Sequence, residues 1–147
     1  MKSLILIAIA ALLSGTAHAE KWAGSGAEFT PDGKQIATYQ VSVDNTQSAP
    51  NVVVSVATIT LADGSQQQMT QTLTMNGSEW KDVSNLGQGG GACYGSDTCE
   101  NYIEGANGMA YATTIISDGQ NARRDLTTVL QNGKAIKVLR ESLTRVN

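Results

Sequence analysis

The residues of this chain that are capable of chemistry are concentrated in Leu86–Gly108, which holds both cysteines and three acidic side chains. Cys93 and Cys99 are the only cysteines, so they are each other's only partner within the chain. A disulfide between them closes a small loop, worth about 2 kcal/mol in a chain-entropy description. A redox-active dithiol is the alternative, but the spacing is not C-x-x-C. We therefore expect a structural disulfide.

Two further interpretations of this stretch involve its acidic residues and its glycines. Asp97, Glu100 and Glu104 offer oxygen ligands for calcium, and Glu100 with Glu104 offers the two carboxylates that glycoside hydrolysis uses. They lack EF-hand spacing, so solvated charges are expected. Gly87–Gly91 (GQGGG) lacks the lysine and the Ser/Thr of a phosphate-binding loop. We expect a loop or a wide strand connection here, and we assign no catalytic residue, no metal and no cofactor.

The N-terminal segment Met1–Ala19 is typical of a secretory signal peptide. Lys2 supplies a positive charge, Leu4–Leu13 is apolar throughout, and Ala17-His18-Ala19 matches the A-x-A cleavage signature. Ten apolar residues are too few to span a bilayer as a helix. We expect cleavage near Ala19, a periplasmic or secreted mature chain without a membrane anchor, and one β domain over residues 20–147. An oxidising compartment also favours the disulfide.

Removal of this segment changes what chemistry is available. His18 is the only histidine, so the mature chain would have none, which excludes Ser-His-Asp and Cys-His catalysis and histidine-ligated zinc. Nine basic and thirteen acidic residues would remain. That acidic balance argues against nucleic acid as a partner, because phosphates require a basic surface. Enzyme activity is left open, with a non-enzymatic protein favoured.

The rest of the chain has the pattern of antiparallel hairpins. Five turn signals separate segments rich in Val, Ile, Thr and Tyr: Asp32-Gly33, Asp63-Gly64, Asn76-Gly77, Asp118-Gly119 and Asn132-Gly133. Lys134–Val146 fits a helical stripe as well as a strand, and we favour the strand. These features predict an all-β fold, an antiparallel up-and-down meander of about eight or nine strands. A closed barrel is favoured over a sandwich because closure removes exposed edges.

Several side chains are candidates for lining the inside of such a barrel. Trp22, Tyr39, Trp80 and Tyr111 either fill the core or line a ligand cavity, and the sequence does not separate these two roles. Arg124 shares its strand face with Leu126 and Leu130, so it is the candidate for an inward-pointing ligand anchor. A plain ion pair at the rim is favoured over that role.

The combination of an exported chain of this size, a Trp-Ala-Gly-Ser-Gly run at Trp22–Gly26 and a hairpin meander resembles the lipocalin-like (calycin) barrels. The resemblance covers architecture and transfers no individual residue. It implies a barrel that binds a small apolar or amphipathic molecule. The alternative is an envelope protein-interaction or inhibitor module that acts through the Gly/Cys stretch at 86–108.

Overall fold

The structure is a computed structural model that describes residues 19–146, so the signal peptide predicted over Met1–Ala19 lies, apart from Ala19, outside the described residues. The described chain forms ten β-strands and one short 3-10 turn, Ala106–Gly108. The strands are β1 Glu20–Phe29, β2 Gln35–Ala49, β3 Val52–Leu61, β4 Gln66–Asn76, β5 Glu79–Ser84, β6 Gly87–Tyr94, β7 Thr98–Gly105, β8 Met109–Ser117, β9 Ala122–Gln131 and β10 Lys134–Val146.

The ten strands close into an antiparallel barrel. Each strand pairs with its neighbours in sequence, and β1 pairs with β10 to complete the ring. The predicted all-β class, the meander and the closed barrel are therefore confirmed. Lys134–Val146 is a strand, paired with β9 on one side and β1 on the other. In the described part of the chain, no helix has the length and hydropathy to cross a membrane.

The Gly/Cys stretch differs from the prediction, because it forms the β6–β7 hairpin rather than a loop. Glycine is depleted from strands in general, so a glycine-rich segment is a poor strand signal. Here the backbones approach too closely for side chains. A Cβ on Gly89 would lie 1.7 Å from the Tyr102 carbonyl oxygen of β7. Glycine is what allows β6 to pair at this point, and the hairpin raises the strand count to ten.

The predicted turns are all present, because each supplies a glycine with positive φ. Gly33, Gly64, Gly77, Gly119 and Gly133 have φ between 65° and 91°. Such values are accessible to glycine at little cost and match the twist that a tight hairpin needs.

Alternate residues of each strand point into the barrel, where they form one apolar core. In β2 the predicted inward face is confirmed, since Tyr39, Val41 and Val43 are all buried. The largest apolar side chains with no more than 1% exposure come from strands all around the ring: Val43, Leu73, Ile103, Ile115, Leu139 and Leu143.

Candidate functional site in the barrel interior

Polar and charged side chains share the barrel interior with the apolar core. Eleven of the described polar residues are buried: Glu28, Asn45, Ser55, Gln71, Asp82, Asn101, Thr113, Arg123, Asp125, Thr127 and Glu141. Burying a charged or polar group is costly unless it is paired. The interior pairs are therefore the place to look for a site.

Arg123 of β9 is the buried cation of this interior. Its Nη2 lies 3.0 Å from Asp125 Oδ2, and both side chains are 1% exposed. The contact is an ion pair, since neither Arg123 Nη2 nor Asp125 Oδ2 has a hydrogen-bond partner. The guanidinium also lies over the Trp22 ring, 5.2 Å from its centroid. Burial raises the pKa of Asp125 to about 6, with the Arg123 charge opposing that rise.

Glu141 of β10 and Tyr39 of β2 meet across β1. The Tyr39 hydroxyl donates to Glu141 Oε1 at 2.8 Å. The register places Gly26 of β1 directly between the two residues. A Cβ on Gly26 would lie 2.3 Å from the Tyr39 ring, so the absence of a side chain there lets the ring reach over β1.

The charge state of this pair follows from its burial. Burial and the nearby Asp125 carboxylate raise the pKa of Glu141 to about 8. Burial and the Glu141 charge raise the pKa of Tyr39 well above its ordinary value. At neutral pH Glu141 is therefore mostly a neutral carboxylic acid that accepts a hydrogen bond from a neutral phenol.

The same arrangement of an aromatic ring over a glycine recurs on the other side of the barrel. Trp80 of β5 donates from Nε1 to Asn101 Oδ1 of β7 at 3.1 Å, passing over Gly91 of β6. Asp82 Oδ2 accepts from Asn101 Nδ2 at 2.9 Å and from Gln71 Nε2 at 2.6 Å. Burial raises the pKa of Asp82, while these two hydrogen bonds oppose the rise.

Several buried polar atoms have no hydrogen-bond partner within the protein. Four of them are donors grouped at the Arg123–Trp22 stack: Arg123 Nε, Nη1 and Nη2 and Trp22 Nε1. Of these, Nη2 lies in the ion pair with Asp125, whose two carboxylate oxygens also have no hydrogen-bond partner. A second group lies on neighbouring strands, where Asn45 is opposite Ser55 and Ser55 is opposite Gln71 in the register. The atoms of this group without a hydrogen-bond partner are Asn45 Oδ1, Asn45 Nδ2, Ser55 Oγ, Gln71 Oε1 and Asp82 Oδ1. An unpaired buried group costs roughly 1–3 kcal/mol. Both groups are thus places where an additional molecule would find partners.

The structure places four of the five predicted ligand-lining residues inside the barrel. Trp22, Tyr39 and Trp80 belong to the polar contacts above, and all are at most 7% exposed. Tyr111 is also buried, at 9%, and burial raises the pKa of its hydroxyl. The register sets Tyr111 between Ile103 and Val129, away from the charged groups. A ligand-binding role for the four remains a prediction.

Arg124 does not point inward as a ligand anchor, and the ion pair favoured for it is present. Its side chain is 60% exposed and forms an ion pair on the surface with Asp118, 2.8 Å from Nε to Oδ2. The inward arginine is its neighbour Arg123. The face shared with Leu126 did not identify an inward side chain, because Leu126 is 45% exposed on the outside of the barrel. Single exposed leucines are ordinary, so they were a weak guide to the core face.

Sequence reasoning also missed the other buried polar and charged residues, although the spacing of core residues around some of them was a usable signal. Glu141 lies between Leu139 and Leu143 at period-two spacing, and Gln71 lies between Met69 and Leu73 in the same way. A polar residue flanked at i−2 and i+2 by core residues must point into the core.

The disulfide expected in the Gly/Cys stretch is present. Cys93 and Cys99 are opposite each other in the β6–β7 hairpin and form a disulfide. Asp97, Glu100 and Glu104 are exposed on the surface of the hairpin.

Comparison with known proteins supports the fold alone. No family model matches the chain, and no curated protein matches its sequence. A protein of unknown function from the DUF3598 family of Nostoc punctiforme is similar in structure, with a TM-score of 0.69 and 11% identity over 86% of this chain. The match takes in 46% of that protein, so this chain spans about half its length. An S-type phycobiliprotein lyase from Guillardia theta matches with a TM-score of 0.58 and 11% identity over 86% of each chain. The predicted resemblance thus holds at the level of a closed β-barrel.

Proposed function

We propose that this protein is an exported, non-enzymatic barrel of the lipocalin-like type that binds a small amphipathic molecule in its interior. The observation that carries the proposal is the buried Arg123–Trp22 stack with its unpartnered donors, Arg123 Nε, Arg123 Nη1 and Trp22 Nε1. Three donors without an acceptor fit a ligand that presents an acceptor oxygen, a carbonyl or a carboxylate. Hydrogen bonds from a cation are worth about 1.5–3 kcal/mol each.

The apolar part of the ligand would lie against the aliphatic interior. In the strand register, Trp22 is opposite Val43 of β2. Arg123 is opposite Leu143 of β10. The donors are therefore bordered by aliphatic side chains on two strands. Strand number also favours a ligand. An eight-stranded barrel is just wide enough for its own side chains or one small molecule, and diameter grows with strand number. A structural neighbour with this kind of barrel is a phycobiliprotein lyase, and this analogy is compatible with the proposal.

The test is a titration of the purified barrel with three probes of one chain length: a fatty acid, the corresponding methyl ketone and the hydrocarbon. Tryptophan fluorescence reports binding, since Trp22 lies beside the donors. We expect both oxygen-bearing probes to bind more tightly than the hydrocarbon. Arg123→Gln combined with Asp125→Asn should weaken them about tenfold or more, because it removes the cation without stranding the carboxylate.

The matched control is Arg124→Gln, which changes the adjacent but exposed arginine and should leave all three affinities unchanged. Circular dichroism confirms that each variant keeps its β structure. The proposal fails if none of the probes binds the wild-type barrel, or if the Arg123/Asp125 double variant binds them as the wild type does.

A further inference from the structure

The exposed large apolar side chains of the described residues fall into two patches on the outer surface, and they carry opposite charge. Seven such side chains are exposed, and only Val146 at the end of β10 lies outside both patches. The acidic patch consists of Val83, Tyr94, Tyr102 and Leu126 with Glu79, Glu100 and Glu104. Lys81 is also exposed there, beside Val83, so the three glutamates outnumber one lysine. The basic patch consists of Ile36 and Ile136 with Lys34 and Lys134.

The acidic patch is concave. A groove of about 570 Å³ runs across β5–β9, with Tyr94, Tyr102 and Leu126 among the residues that line it. Small residues at outward positions, including Gly90 and Ala112, form its floor. The two tyrosines are 59% and 44% exposed. Exposed tyrosines around a depression are typical of the centre of a protein interface.

The exposed isoleucines of the basic patch both lie at irregularities in the strand register. The β1–β2 pairing shifts by one residue at Ile36, and the β9–β10 pairing shifts by one residue at Ile136. Such irregularities re-aim a side chain and are usually functional features. The two isoleucines lie on the strands that flank β1, and they are 54% and 42% exposed.

Charge around the two isoleucines is positive. Lys34 and Lys134 are exposed at the adjoining turns. The glutamates of β1 and β10 nearest them, Glu28 and Glu141, are 2% and 3% exposed and point into the barrel. Asp32, in the β1–β2 turn, is the acidic residue exposed nearby.

Within one molecule the two patches cannot face each other, because both lie on the outer wall of a closed barrel. The acidic patch begins at β5 and extends through β9, and the basic patch lies on β2 and β10, so the two patches adjoin where β9 pairs with β10. A second copy of the chain, however, presents the complementary surface.

We propose that the protein self-associates head to tail, with Ile36, Ile136 and their lysines from one copy docking in the Tyr94–Tyr102–Leu126 groove of the next. We choose a second copy as the occupant because the two surfaces have opposite charge and because an exposed apolar pair matches an apolar groove. Because different surfaces meet, the contact is heterologous and can extend into rings or filaments. The interaction is independent of the barrel interior and of the function proposed for it.

The test uses two variants, each lacking one patch, in sedimentation velocity runs over a concentration series. Tyr102→Ser with Leu126→Ser removes the groove walls, and Ile36→Ser with Ile136→Ser removes the exposed isoleucines. We expect the wild type to associate more at higher concentration and less at high salt. Each variant alone should lose about tenfold or more in association constant. An equimolar mixture of the two should form 1:1 dimers and nothing longer, because each supplies the patch that the other lacks.

Val146→Ser is the matched control, since it removes an exposed apolar side chain outside both patches and should associate as the wild type does. Circular dichroism verifies that all variants fold. The proposal is overturned if the wild type stays monomeric throughout, if the mixture stays monomeric, or if the patch variants associate like the wild type. Binding of a monomeric wild type to phosphatidylglycerol vesicles, lost in the Ile36/Ile136 variant, would assign the basic patch to a lipid surface instead.

Discussion

Glu141 illustrates what a single buried carboxyl does to the whole protein. It is 3% exposed, accepts a hydrogen bond from Tyr39, and faces Asp125 and Arg123. Burial keeps a proton on Glu141 in the folded state up to a pH of about 8. The unfolded chain releases that proton near the ordinary pKa of 4.5. The folded state therefore binds more protons than the unfolded state between these two values, and the free energy of unfolding must fall as pH rises through this window.

This leads to a prediction for Glu141→Gln. Glutamine keeps an oxygen that accepts from Tyr39 but does not titrate, so the fall in unfolding free energy between pH 6 and pH 8 should become much shallower. The loss of slope approaches about 1.4 kcal/mol per pH unit where Glu141 is the group that titrates. Urea denaturation at several pH values in this interval measures it. The interval lies above the pKa of about 6 of Asp125, which limits that residue's contribution.

The control for this prediction is Asp32→Asn, a change at an exposed turn residue that keeps a turn-forming sequence before Gly33. Its pH profile should follow that of the wild type. An unchanged slope in Glu141→Gln would show that the folded state does not hold the proton on this residue.

At the level of the strands, the recurring device is an aromatic ring that crosses over a glycine to reach a partner two strands away. It occurs as Tyr39 over Gly26 to Glu141 and as Trp80 over Gly91 to Asn101. Each instance links three strands through one side chain. Glycine weakens a strand on its own, and the ring that covers it compensates by packing on the bare backbone.

We predict that Gly26→Ala destabilises the protein by about 1–3 kcal/mol, the cost of overpacking a filled core. The three nearest atoms to the added methyl group all belong to the Tyr39 side chain. The cost should therefore nearly vanish when Tyr39 is also replaced by alanine. A double-mutant cycle from denaturant unfolding measures this coupling. An equal cost in both backgrounds would mean that the methyl group collides with something other than the ring.

The strands also show where sequence reasoning works and where it stops. The hairpins around Asp63-Gly64 and Asn132-Gly133 were predictable, because a local pair of residues fixes both the turn and the pairing beside it. The β6 strand was not predictable from the sequence, because glycine is required there by the close approach of the Tyr102 carbonyl on another strand. The inward face of β9 was not predictable either, since its inward residues form an ion pair while a leucine on the same strand points outward, which reverses the usual alternation.

For the whole molecule, the pairing of β1 with β10 brings the two ends of the described chain together. Lys21 is opposite Val146, and Arg145 forms an ion pair with Glu20 at 3.1 Å. Neighbouring termini are the condition under which circular permutation is tolerated.

We therefore predict that a circular permutant with a short Gly/Ser linker between residues 146 and 20, opened at the exposed turn Asp63-Gly64, folds into the same barrel. Its free energy of unfolding should stay within about 1 kcal/mol of that of the linear chain, measured by urea denaturation. A permutant opened inside β8, where both neighbours need its backbone hydrogen bonds, serves as the contrasting case and should not fold. Failure of the Asp63-Gly64 permutant alone would show that the order of the strands along the chain matters to stability.

Closure of the ring has a further consequence, which concerns time. The contact between Ala23 and Thr144 spans 121 residues, and the Tyr39–Glu141 hydrogen bond spans 102. A growing chain cannot make either until its last strand has emerged. Contacts of such long range are slow to form, and until then the nascent sheet keeps two open edges that invite pairing with other chains. A chain cut short before β10 is therefore not a slightly smaller barrel but an open sheet prone to aggregation. The thirteen residues of β10 decide which of the two forms exists.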